Sequence, residues 1–130
     1  MDASENKTLT RAEEQIMQQL WKLKKAYVKD IIDLLPNPKP AYNTVSTIVR
    51  ILEKKGFVGH ISHGKTHEYY PLINQKAYRK KIFNRLFHNY FSNSYTSLTS
   101  FLTQSQDLSL EELEEMRMTI EIEIKKKSNT

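Results

Sequence analysis

The sequence predicts a mainly α protein with one small β-hairpin: a winged helix-turn-helix domain followed by a helical dimerisation arm. Two features of the first 73 residues predict the head. Helix, short extended step, helix, turn and helix succeed one another up to residue 55, and an alternating, glycine-punctuated stretch, FVGHISHGKTHEYYPL, follows at 57–72. A third feature predicts the arm: from residue 74 onward the apolar residues return to helical spacing.

Each element has a local cause. Thr10-Arg11-Ala12-Glu13 has the form of a capping box. Behind it Ile16, Met17, Leu20, Trp21 and Leu23 form an apolar stripe, which gives a first helix over 10–24. Ala26-Tyr27-Val28 is a short extended step. Val28, Ile31, Ile32 and Leu35 recur at i, i+3, i+4 and i+7 and define a second helix over 28–35. Pro36, Pro38 and Pro40 end it and stiffen the connection.

The third helix spans AYNTVSTIVRILEKK, 41–55. Its first half is rich in β-branched residues that isolated helices disfavour, so packing of the Val45/Ile48/Val49/Leu52 side must hold it. The opposite side carries Asn43, Ser46, Thr47, Arg50 and Lys54, with no acid before Glu53. Solvated helix faces usually mix acids with bases. A face of short polar groups and cations without acids suits the major groove, where a threonine offers a hydroxyl and a methyl to base edges. Asn43 is the natural N-cap by chemistry, with Ala41 the alternative start. Lys54, Lys55 and Gly56 form the stop signal.

In the hairpin, Phe57, Gly59 and Ile61 alternate with Val58, His60 and Ser62. His63-Gly64-Lys65 supplies the turn, and Thr66 to Leu72 returns. Lys65 at the tip is the candidate phosphate contact. Tyr69 and Tyr70 face opposite ways, one of them into the core. His60 and His67 can approach across the strands, but no fourth ligand completes a metal set; no metal or cofactor is expected. In the arm, Ile82, Phe83, Leu86, Phe87, Tyr90 and Phe91 share a broad face. Leu98, Phe101 and Leu102 mark a shorter helix. Asp107 or Ser109 caps a last helix with Leu110, Leu113, Met116, Ile120 and Ile124 on one side.

Charge supports the division. The chain of 130 residues has a net charge of +5. Residues 1–33 are neutral, residues 34–106 carry ten basic and two acidic side chains, and residues 107–130 carry seven acidic and four basic ones. A positive middle of this kind is the footprint of a nucleic-acid binder. The chain has no cysteine, so disulfides, thiolate metal sites and cysteine nucleophiles are excluded. No phosphate loop or nucleophilic triad motif occurs, and neither an enzyme nor a small-molecule substrate is expected. The polar start MDASENKTLTR lacks a signal-peptide core, and a cytoplasmic protein is expected.

LTRAEEQIMQQLWK, AYNTVSTIVRILEKKGFV, HGKTHEYYPL and DLSLEELEEM, in this order and spacing, resemble the penicillinase and methicillin-resistance repressors of bacteria over about residues 8–118. The resemblance implies a homodimeric repressor on a dyad-symmetric, double-stranded DNA operator, with a head at 1–73 and a dimerisation domain at 74–130. It places Asn43, Thr44, Ser46 and Thr47 at recognition-helix contact positions and Lys65 at the wing tip; Tyr42, Arg50 and Lys54 complete the candidate DNA-binding set. Ser46 stands where a larger basic residue occurs in relatives, which implies a different operator sequence. Dimerisation would fall to Phe83, Phe87, Leu98, Phe101, Leu113, Met116 and Ile120. The resemblance also implies induction through a membrane sensor and cleavage of the arm beside a phenylalanine, here around Ser100, Phe101 and Leu102; Ser100 replaces the asparagine of the best-known members. The alternative is a winged-helix module that binds an acidic protein surface.

Overall fold

A computed structural model describes residues 8–129, so most of the polar N-terminal stretch lies outside the described residues. Two compact units divide the chain, one ending at Ile82 and the other beginning at Phe83.

The N-terminal unit holds α1 (Arg11–Leu23), α2 (Val28–Leu34), α3 (Tyr42–Lys54), β1 (Val58–His63), β2 (Thr66–Pro71) and the start of α4 (Gln75–Phe91). Thr10 and Glu13 close the predicted capping box: each side chain accepts the other's backbone N–H, at 3.2 and 2.8 Å. Buried Ile16, Met17 and Leu20 of α1 meet Val28 and Ile31 of α2 and Val45, Val49 and Leu52 of α3. This burial stabilises a β-branched α3 that its own propensity would not.

Ala26 pairs with Tyr69 through both main-chain bonds, at 2.9 and 2.8 Å, so the extended step after α1 adds a third edge to the hairpin. Gly56, at φ +85°, ends α3: the Phe57 N–H donates to the Leu52 carbonyl at 3.0 Å, the long bond of a Schellman motif. Phe57 is therefore not the first strand residue predicted. It turns wholly into the core, and β1 begins one residue later. The strands are antiparallel with His60 opposite Tyr69 and His63 opposite Thr66. That register leaves a two-residue turn, with Gly64 at φ +66° in its first position. Tyr78 of α4 seals the unit. It is buried against Trp21 and Phe57, and its hydroxyl accepts the Leu9 N–H at 3.0 Å.

The C-terminal unit contains the rest of α4, then α5 (Tyr95–Thr103) and α6 (Leu110–Ser128). Ser94 caps α5, and Ser109 rather than Asp107 caps α6, in a box completed by Glu112. Phe87 is buried between Phe83 and Tyr95, with ring centroids 5.3 and 4.6 Å away. Otherwise the unit has little interior of its own: no residue of α5 or α6 is buried.

Candidate nucleic-acid interface

The outward side of α3 is built by exclusion. Val45, Val49 and Leu52 are taken up by the core and Ile48 is half-buried, so Asn43, Thr44, Thr47, Arg50 and Lys54 are left exposed, with Ser46 at the edge. Among them lies no carboxylate. Tyr42 is exposed in the first turn. The prediction that Asn43 caps the helix is corrected: Ala41 is the N-cap and makes no side-chain bond. Pro40 holds the preceding backbone, and the helix starts directly after Ala41, which places Asn43 inside the first turn. Its amide is not committed to capping.

Arg50 folds back along α3. Its Nε donates to the Ser46 carbonyl at 3.4 Å and its Nη2 to Thr47 Oγ1 at 3.5 Å. Both bonds are long and exposed, so a stronger acceptor can replace them.

Lys55, on the hidden side of the helix end, anchors α3. Its Nζ lies 2.7 Å from Glu13 Oε1, and Glu13 is only 4% exposed. Burial alone would raise the Glu13 pKa; the Lys55 ammonium and the bonds from Thr10 outweigh it and hold the carboxyl below its usual range. The ion pair thus fixes the end of the outward-facing helix to the start of α1.

The hairpin presents Lys65, exposed, at its tip, where the Thr66 hydroxyl donates to the His63 carbonyl at 2.8 Å. Tyr69 is the tyrosine in the core. Burial pushes its phenol pKa up, Glu53 adds to that, and Arg50 opposes it. Tyr70 lies across Gly59 on the other face; a Cβ on Gly59 would come within 2.9 Å of the Tyr70 ring. His60 and His67 do meet across the strands, as stacked rings 4.1 Å apart, while His63 turns to Glu68 at 3.2 Å. Among the described residues no three of His, Cys, Asp and Glu are arranged to hold a metal ion.

In the C-terminal unit an apolar groove of about 650 Å³ runs between α4 (Phe83, Leu86, Tyr90, Phe91) and α5 (Leu98, Phe101, Leu102). Phe101 stands 63% exposed on α5 with Ser100 and Leu102 beside it. Leu113 and Met116 are half-buried on α6, and Ile120 is 55% exposed. Phe87, a predicted dimer residue, already fills its own chain's aromatic cluster.

Residues 9–122 match the family model described as penicillinase repressor. The chain belongs to the penicillinase repressor family. It is also similar to the methicillin resistance regulatory protein MecI of Staphylococcus aureus strain N315 and to that of Staphylococcus epidermidis. Each is 28% identical over 116 residues, which cover 87% of this chain and 94% of the relative. MecI of Mammaliicoccus sciuri matches to the same extent. The chain is thus a transcriptional repressor of this type, a DNA-binding regulator and not an enzyme. Among the described residues no helix is long and apolar enough to cross a membrane.

One link in the head is not predicted from the sequence. Glu53 and His60 were not assigned to any site, yet Glu53 Oε2 lies 2.5 Å from His60 Nδ1 and so joins α3 to β1. The available signal was that Glu53 is the single acid of the helix.

Proposed function

We propose that the protein represses transcription as a homodimer on a dyad-symmetric operator. Each subunit lays α3 in the major groove and sets its hairpin against the sugar-phosphate backbone. The observation that carries this is the acid-free outward side of α3, flanked by a cationic hairpin tip. Asn43 and Thr47 lie where base edges would be read. Arg50 and Lys54 suit phosphates or the outer bases, and Lys65 a phosphate. Two heads joined by a twofold axis would meet half-sites about 34 Å apart, or a multiple of that.

The apolar groove between α4 and α5 and the exposed apolar residues of α6 supply the dimer surface. One chain leaves Phe101 and Ile120 in water, and a second copy would cover them. Induction acts through the same unit. Cleavage around Ser100, Phe101 and Leu102 by a sensor-activated protease would separate α6 from the head, weaken the dimer and lower operator occupancy by mass action. These residues sit inside α5, so the helix must open locally before a protease can accept the chain.

The test is a footprint on the protein's own promoter combined with Thr47→Ala. The variant should lose about 1–3 kcal/mol on the operator and far less on unrelated DNA. Equal losses on both would remove α3 as the reader. Absence of any promoter footprint, with binding to an acidic protein instead, would favour a protein-interaction module.

A further inference from the structure

Glu53 is out of place on a surface meant for phosphates. It stands on the last turn of α3, on the edge nearest the hairpin, and a free carboxylate there would repel DNA. It is not free: Oε2 lies 2.5 Å from His60 Nδ1. His60 in turn stacks on His67 of the other strand, with centroids 4.1 Å apart and planes within 5°. Both imidazoles meet the buried Tyr69 ring at an angle, at 5.8 and 6.1 Å. Arg50 and Tyr42 of α3 are the other charged or titratable groups that act on Tyr69. On the opposite face of the hairpin, His63 is paired with Glu68 and stands 6.0 Å from the ring of Tyr27.

The main-chain bonds between Ala26 and Tyr69 anchor β2 at the level of His60, the cross-strand partner of Tyr69. Side chains hold β1: Glu53–His60 at that same level on one face, and Tyr27–His63 next to the turn on the other. The Glu53 and His60 side chains are 32% and 30% exposed. A polar contact that water reaches this easily adds little to folding, so its consequence lies in where it holds the strand.

We propose that Glu53 is a positioning residue for the wing: through His60 and the stacked His67 it holds the hairpin at the tilt from which Lys65 reaches a duplex seated on α3. This rests on the DNA-binding role proposed above. It also accounts for a lone acid on that helix, since the carboxylate is turned away from the duplex toward an imidazole.

The experiment is a cycle on the full chain. Operator affinity is measured against salt for Lys65→Ala made in three backgrounds: wild type, Glu53→Gln and Glu53→Ala. Glutamine keeps a hydrogen-bond acceptor for His60, and alanine removes it. In the first two backgrounds Lys65→Ala should flatten the slope of log affinity against log salt by about 1, the loss of one phosphate contact. In the Glu53→Ala background it should change the slope by almost nothing, because the tip no longer reaches, while the unfolding midpoint stays near that of wild type. An equal flattening in all three backgrounds would overturn the positioning role. No flattening in the wild-type background would instead overturn the wing's contact with DNA. Should Glu53→Ala unfold early, His60→Ala replaces it in the cycle with the same two criteria.

Discussion

Removing the Lys55 ammonium should unsettle the DNA-binding unit more than removing its partner's charge. In Lys55→Met, Glu13 keeps its place at 4% exposure but loses the cation 2.7 Å from Oε1. Breaking a fully buried pair from one side costs about 3–5 kcal/mol. The Lys55 side chain is 21% exposed, which lets water approach the vacated end. A loss of about 2–3 kcal/mol is therefore expected, or a fall of roughly 10–20 °C in the midpoint for a unit of this size. Glu13→Gln should cost less, since the amide oxygen still accepts the Thr10 N–H and Lys55 can turn to solvent.

The sign of the pH dependence separates charge from packing. The folded pKa of Glu13 is lowered, so its stabilisation is complete above the unfolded carboxylate value of about 4.3 and is lost as pH falls through the folded value. Without Lys55 the influences that lower the Glu13 pKa are weaker, so the variant loses less stability than wild type as pH falls. Urea unfolding of both proteins between neutral and acid pH should show their stabilities converge as pH falls. A gap that stays constant across that range would mean that Lys55 acts through its methylene stem, and the electrostatic account of the α1–α3 anchor would be wrong.

Other outcomes follow from the same geometry. Gly59→Ala should leave folding within about 1 kcal/mol, because the clash at 2.9 Å is with the movable end of the Tyr70 ring; NMR should show that ring displaced, and an unmoved ring would contradict the packing described. Leu113→Asp combined with Ile120→Asp should yield monomers in sedimentation, whereas a persistent dimer would put the contact surface elsewhere. Lengthening the exposure of α5 to a nonspecific protease should give cleavage near Phe101 at a rate that follows helix opening, so added α5 stability through Ser97→Ala should slow it.

Most of the head was legible because its signals are local. The Thr10/Glu13 box, the Val45/Val49/Leu52 stripe and the glycine at 64 each specify a structure within a few residues. The acid-free side of α3 was readable for the same reason: a 3.6-residue period fixes which residues share a face. Phe57 was misassigned to the strand because an alternating pattern cannot show where a Schellman turn ends and pairing begins. Asn43 was misassigned as a cap because side-chain chemistry favoured it, whereas the N-cap lies two residues earlier, at Ala41, and uses no side chain. The Glu53–His60 link was invisible for a deeper reason. It depends on the angle at which the hairpin leaves α3, a property of the packed unit that no periodicity records. The arm was the least legible part, since the apolar residues of α6 occur on more than one side and leave no single stripe that names its neighbour.

The most direct measurement is the structure of the chain bound to a duplex from its own promoter. Asn43 and Thr47 should lie within hydrogen-bonding or van der Waals distance of base edges in the major groove, Lys65 beside a phosphate, and a second copy should be related by a twofold axis through the duplex. If the Asn43/Thr47 side of α3 faced solvent while another surface held the DNA, the proposed mode of recognition would be refuted.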